Sequence, residues 1–182
     1  MSVLEQGQIQ IHTENIFPII KKAVYSGHEV FLRELVSNGT DAISKRRMAA
    51  MAGDCSEADE GLISITVNRE AKTIKISDNG IGMTADEVKK YINQVAFSSA
   101  EDFLEKYKQE SDAIIGHFGL GFYSSFMVAK EVELITRSAR PDSEAVRWIC
   151  DGSPAFKLES HERDEAGTDV ILHLMDDELE YL

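Results

Sequence analysis

The chain has 182 residues, with 19 basic against 32 acidic side chains and a formal charge of −13. That length supports one domain with its own core. The acidic surplus disfavours a broad surface for duplex nucleic acid or anionic lipid, yet leaves room for a small anion held by backbone amides. Cys55 and Cys150 share no metal-ligand spacing and are too few for a disulfide framework, and the five histidines are scattered. No basic leader and no long apolar segment is visible. The expectation is a cytoplasmic protein with free thiols, no protein-ligated transition metal, and neither nucleic acid nor membrane as a partner.

In chain order, residues 9–12 alternate like a short strand and 15–25 have helical spacing, with Pro18 in the first turn. A longer helix is predicted over about 28–51, broken at Gly53-Asp54-Cys55-Ser56. Residues 62–67 and 74–77 read as a hairpin around Asn68-Arg69-Glu70-Ala71, the second strand ending at Asp78. Thr84 stands three residues before Glu87, a capping box opening a helix through Val88 and Tyr91. Asp78-x-Gly80-x-Gly82 therefore bridges a strand and a helix. The glycine-bounded stretch from about 93 to 121 has the character of a movable lid.

Residues 122–129 read as helical, and the rest alternates in four runs, 132–137, 145–151, 156–159 and 168–174. These elements add up to a single α+β domain, a two-layer α/β sandwich with a largely antiparallel, twisted sheet covered on one face by helices. A new helix begins within 176–182, so the chain reads as a fragment of something longer.

Glu34, Asn38 and Asp41 fall at i, i+4 and i+7 on the long helix, one stripe beside the apolar Phe31, Leu35, Ala42 and Ile43. Taken singly, each signal has a bland reading. Polar stripes are usually solvated faces, Asp-x-Gly-x-Gly is often a turn, Gly119-x-Gly121 before a helix can be close packing, and Thr168 is by default a β-former. Together the residue types suit nucleotide chemistry. A hard cation such as Mg²⁺ takes oxygen ligands and shares phosphates, which an Asn carbonyl serves without adding charge. A Glu one turn earlier can orient or deprotonate an attacking water.

Glu34-x-x-x-Asn38-x-x-Asp41-Ala42, Asp78-x-Gly80-x-Gly82-Met83, Gly116-x-x-Gly119-x-Gly121-Phe122 and Gly167-Thr168 occur in this order. The set resembles the motifs of the GHKL ATPases, the superfamily of Hsp90, gyrase B, MutL and histidine kinases, whose architecture is the Bergerat fold. Phe31 to Asn38, Gly119 to Ser124 and the closing 176–182 are most similar to the N-terminal domain of the Hsp90 family in its bacterial form. The resemblance covers essentially the whole chain and implies an ATP/ADP site with Mg²⁺.

In that resemblance Glu34 activates the water, Asn38 holds Mg²⁺ and phosphate, and Asp78 accepts from the adenine amino group, with Thr168 reaching adenine partly through water. Gly82 and Met83 line the base pocket, Asp41 and Ala42 belong to the nucleotide site, and Gly119, Gly121 and Phe122 meet phosphates through backbone amides. The resemblance further implies client proteins and a homodimer partner in the full-length chaperone. It implies slow turnover in an isolated domain, because a middle domain supplies an Arg to the γ-phosphate. At the lid the chain departs from the family pattern: Tyr91 replaces Asn, Asn93-Gln94 replaces Gly-Thr, Phe97 replaces Lys and His117 replaces Gln. The competing readings are a histidine-kinase catalytic domain, for whose phosphoacceptor helix residues 1–12 leave no room, and a non-catalytic nucleotide-binding module.

Overall fold

The computed structural model describes residues 27–56, 60–93 and 121–182. The predicted strand at 9–12, the helix at 15–25, and Phe97, Gly116, His117 and Gly119 lie outside these. Of the lid segment only its two ends, Asn93 and Gly121, fall inside.

Helix α1, Val30–Met51, buries Phe31 and Leu35 one turn apart. It ends where Gly53 takes a φ of 80° and its N–H, with that of Asp54, returns to the carbonyls of Ala50 and Ala49. The hairpin follows as β1, Ile63–Asn68, and β2, Thr73–Asp78. Helix α2, Ala85–Tyr91, starts on the predicted capping box: Thr84 Oγ1 accepts from Glu87 N at 3.3 Å and Glu87 Oε2 accepts from Thr84 N at 2.9 Å. Thr84→Ala is expected to lower stability by about 1 kcal/mol, read as a shifted urea midpoint at constant slope. At its far end, Asn93 Oδ1 accepts from Trp148 Nε1 at 2.8 Å, and the Tyr123 hydroxyl donates to Ile92 O. Asn93 thus ties α2 to the sheet.

The segment predicted as a helix over 122–129 is a 3-10 helix, Gly121–Met127, that gives way at once to β3, Ala129–Arg137. Its run of buried residues, through Val128 and Ala129, fits either geometry by hydrophobicity alone, and pairing of Ala129 with Leu174 decides for the strand. Strands β4, Ala145–Cys150, β5, Lys157–His161, and β6, Gly167–Leu174, complete, among the described residues, a six-stranded sheet in the order β1-β2-β6-β3-β4-β5, antiparallel throughout. The predicted Phe156 stays outside β5 and exposed. A second 3-10 turn, Leu179–Tyr181, replaces the helix predicted at 176–182, and Tyr181 packs edge-on to Phe31 at 5.3 Å.

Cross-strand register explains why the helices cover one face. Ile74, Leu172, Val132 and Cys150 form one row across β2, β6, β3 and β4, and Ile76, Val170, Leu134 and Trp148 form the next. All eight are buried. The opposite face is charged: Glu133 meets His173 at 2.5 Å and Arg147 at 2.6 Å, with Glu131 close by. Burial alone would raise Glu133, but hydrogen bonds from His173 and Arg147 outweigh it and hold the carboxyl below its ordinary range. The sandwich therefore has its core, and its site, on the helix side.

Candidate functional site

The third row of the core face breaks the apolar pattern. Two residues beyond Ile76, Val170 and Leu134, it consists of Asp78, Thr168 and Thr136, in register with Val146. Three polar side chains in a layer that is otherwise hydrocarbon require partners, since an unpaired buried hydroxyl or carboxylate is costly. They find them in the loop 79–83 and in one another. Thr136 Oγ1 lies 2.9 Å from Met83 N, 3.0 Å from Gly167 O and 2.9 Å from Thr168 Oγ1. Asp78 Oδ1 accepts from Gly80 N at 2.8 Å, and the Thr168 backbone N–H also reaches the carboxylate.

The loop is clamped between α1 and the end of β3. A Cβ on Gly80 would lie 2.5 Å from the carbonyl carbon of Ala42, and Ile81 N donates to Ala42 O at 2.9 Å. On the other side Ala139 N donates to Ile81 O at 2.8 Å, and Gly82, at a φ of 60°, would place a Cβ 1.9 Å from Arg137 O. Gly167 is as confined: at a φ of 132° its Cβ would sit 2.1 Å from Asp78 O. Only glycine fits either position. Arg46 of α1 and Asn79 hold the outside. Arg46 donates to Asn79 O at 2.8 Å, while the Asn79 side chain accepts from Leu62 N at 2.8 Å and donates to Glu60 O at 2.6 Å.

Desolvation dominates the electrostatics of Asp78. Burial pushes its carboxyl up to about 7, against the lowering effect of the Gly80 and Thr168 amides and of the Arg163 guanidinium, which is itself paired to Asp169 at 3.0 Å. Helix α1 brings its stripe alongside. Gly39 is buried, and a Cβ there would stand 3.4 Å from that of Asp78, so the helix backbone lies close against the strand end. Asp41 is buried, Glu34 half-buried and Asn38 exposed. One turn beyond Asp41, Lys45 has its ammonium lowered by burial, despite the fields of Asp41 and Glu87. At the other end of the stripe Glu34 Oε2 occupies the space a Gly121 side chain would need, 2.7 Å from the missing Cβ. One surface thus runs from a half-buried carboxylate at a strand end, along a polar helix stripe, to a carboxylate lying against a glycine at the head of a 3-10 helix.

The family model of histidine kinase-, DNA gyrase B-, and HSP90-like ATPases matches residues 25–163. The chain belongs to this family. It is 55% identical to chaperone protein HtpG of Bacteroides thetaiotaomicron over 179 residues, 98% of this chain and 26% of that protein. It is 51% identical to HtpG of Porphyromonas gingivalis over 179 residues, with the same shares, and 42% identical to HtpG of Streptomyces coelicolor over 177 residues, 93% and 28%. The chain spans about a quarter of the length of the first two curated relatives. Among the described residues no helix is long and apolar enough to cross a membrane.

Within this HSP90-like ATPase fold, Asp78, Gly82, Met83 and Thr168 come together at the strand end, and Ala42 meets them through its carbonyl. Asp41 and Asn38 flank them on α1, and Glu34 pairs with Gly121 farther along. The Phe122 ring is in the core, edge-on to Trp148 at 5.6 Å, so its side chain is not available to a ligand. Gly119 lies outside the described residues. Sequence reasoning missed Thr136, Gly39, Gly167 as a steric requirement, and the Arg46 and Asn79 clamp. Thr136 had a detectable signal, a hydroxyl at the next inward position after Val132 and Leu134.

Proposed function

We propose that this chain is the N-terminal nucleotide-binding domain of a longer Hsp90-type molecular chaperone of the cytoplasm, which binds ATP and hydrolyses it to ADP and phosphate to drive conformational change on client proteins. The observation that carries the reading is Asp78: a half-buried carboxylate on the core face of the sheet, supported by two backbone amides and beside a threonine, suited to an exocyclic amine. The adenine amino group supplies such a donor. Gly82 and Met83 then line the base, with Asp41 and Ala42 on the helix side.

Phosphates would extend along α1 towards Gly121 and Phe122, whose backbone N–H groups suit anionic oxygens. Glu34, lying against Gly121, would orient a water and take its proton as the oxygen attacks the γ-phosphorus. Asn38, an exposed neutral oxygen donor one turn from Glu34, fits a Mg²⁺ ion shared with phosphates, which when bound would neutralise their charge. A homodimer and an Arg from a following domain complete the expected machine, so the isolated domain should bind nucleotide well and turn it over slowly.

Glu34→Ala tests the assignment. In the full-length protein, ADP affinity by calorimetry is expected to stay within about twofold of the parent, while steady-state hydrolysis falls by about a hundredfold or more. Intact binding with unchanged turnover would make Glu34 a structural acid and favour a non-catalytic module. Absence of heat with either ADP or ATP would remove the pocket itself.

A further inference from the structure

Thr136 carries the sharpest geometry on the core face that the proposed chemistry does not use. It is fully buried, at 0% exposure, and its single hydroxyl is within bonding distance of three groups, one in the loop 79–83 and two at the start of β6. A hydroxyl has one proton and two lone pairs. Met83 N–H can only donate, so it takes one lone pair. Gly167 O can only accept, so it takes the proton. All three contacts are satisfied together only if Thr168 supplies the proton of the Thr136–Thr168 bond. Thr168 Oγ1 is then left with lone pairs alone, directly across from Asp78 in the β2–β6 register and on the same face of the sheet.

We propose that Thr136 is a specificity-positioning residue: by fixing the direction of the Thr168 hydroxyl proton, it makes the base end of the pocket a pair of acceptors with no donor. Such an end matches a purine bearing an amino group at its six-position. It rejects one bearing a carbonyl there, whose lone pairs would face the Asp78 carboxylate and the Thr168 oxygen alike. A threonine free to rotate would donate to that carbonyl and soften the rejection. Thr136 touches no ligand in this account and acts through its neighbour.

The proposal rests on Asp78 and Thr168 forming the base end, and its test separates the two ideas. ADP and inosine diphosphate, which differ at the six-position and at the adjoining ring nitrogen, are titrated calorimetrically at pH 8 into the parent chain, Thr136→Ser, Thr136→Val and Asp78→Asn. Thr136→Ser retains the hydroxyl and should keep the parent preference for ADP. Thr136→Val should lower that preference by about tenfold, the scale of one hydrogen bond changed from matched to mismatched.

Thr168→Val provides the second route if Thr136→Val does not fold. Removing the acceptor itself should lower the preference by a similar factor, and where both single variants fold, the double variant should show no further loss. A preference unchanged in Thr136→Val, with both nucleotides weakened equally, would reduce Thr136 to a structural residue. An unchanged preference in Thr168→Val would equally overturn the proposal. Either result would leave the nucleotide site standing, provided the parent chain binds ADP and Asp78→Asn does not. A parent chain that failed to bind ADP would instead sink the site.

Discussion

Asp78→Asn is expected to weaken adenine nucleotide binding by roughly two orders of magnitude, about 3 kcal/mol, while raising the melting temperature at pH 8 by about 2–6 °C. The two effects have one cause. Burial raises the folded-state pKa of Asp78 from the ordinary carboxylate range to about 7. The folded protein therefore holds this proton more tightly than the unfolded chain does. The sign follows: the stability associated with the neutral carboxyl is fully present below about pH 4 and is lost as pH rises towards about 7. At pH 8 the protein carries a desolvated anion that folding alone does not favour, and Asn removes it while keeping an acceptor for Gly80 N.

The ligand makes the opposite demand. An amino group needs the ionised carboxylate, so affinity should rise about tenfold between pH 6 and pH 8 in the parent and lose that dependence in the variant. Adenosine is the cleaner probe, because it has no phosphate titrating in the same range. Equal melting temperatures at pH 8, or a flat parental profile, would show that the buried charge is neither costly nor functional.

Gly82→Ala should be among the most damaging single-methyl additions available in the described residues, with an expected loss of about 3–5 kcal/mol and a fall in melting temperature of about 10 °C. A left-handed backbone costs alanine about 1–2 kcal/mol. The rest comes from the carbonyl of Arg137, 1.9 Å from the added carbon and part of the strand that carries Thr136. Gly53→Ala is the control, since Gly53 has a φ of 80° but nothing within 4 Å of where an alanine methyl would stand. It should show the conformational cost alone, about 1 kcal/mol. Similar losses in the two variants by chemical denaturation would mean that the Gly82 loop gives way, and that the close approach is not a constraint.

Most of the architecture is legible in the sequence because its signals are local. The capping box at Thr84, the hairpin from β1 to β2, the long helix α1 and the alternation of β3 to β6 depend on residues within a few positions of one another, where period and propensity act. Gly121–Met127 reads in sequence as an ordinary helix because a run of buried residues does not distinguish a 3-10 turn from an α-helix. In the site, Asp78 and Gly82 stand out as unusual residues at a strand end. Thr136 does not, since a threonine in a strand is ordinary until register places it beside Thr168. Gly39 reads in sequence as a weak point of a helix, and in space as what lets α1 approach Asp78. Arg46 and Asn79 act across long separations in the chain, beyond the reach of any periodic pattern.

The strand order has a consequence for the sequence of folding events. Strand β6, the last of the sheet, inserts between β2 and β3, so Asp78 and Thr168 become neighbours only when the end of the domain has joined its beginning. Pairings between such distant segments bear the full loop-closure entropy before any contact rewards them, which makes them late. A nascent chain that has emitted α1, the hairpin and α2 already carries Glu34, Asn38, Asp41 and Asp78, yet has no floor on which a base can rest. In the proposed site, nucleotide occupancy would therefore be a mark of completed topology, with the ligand a clasp on the β2–β6 pairing, which local structure cannot secure.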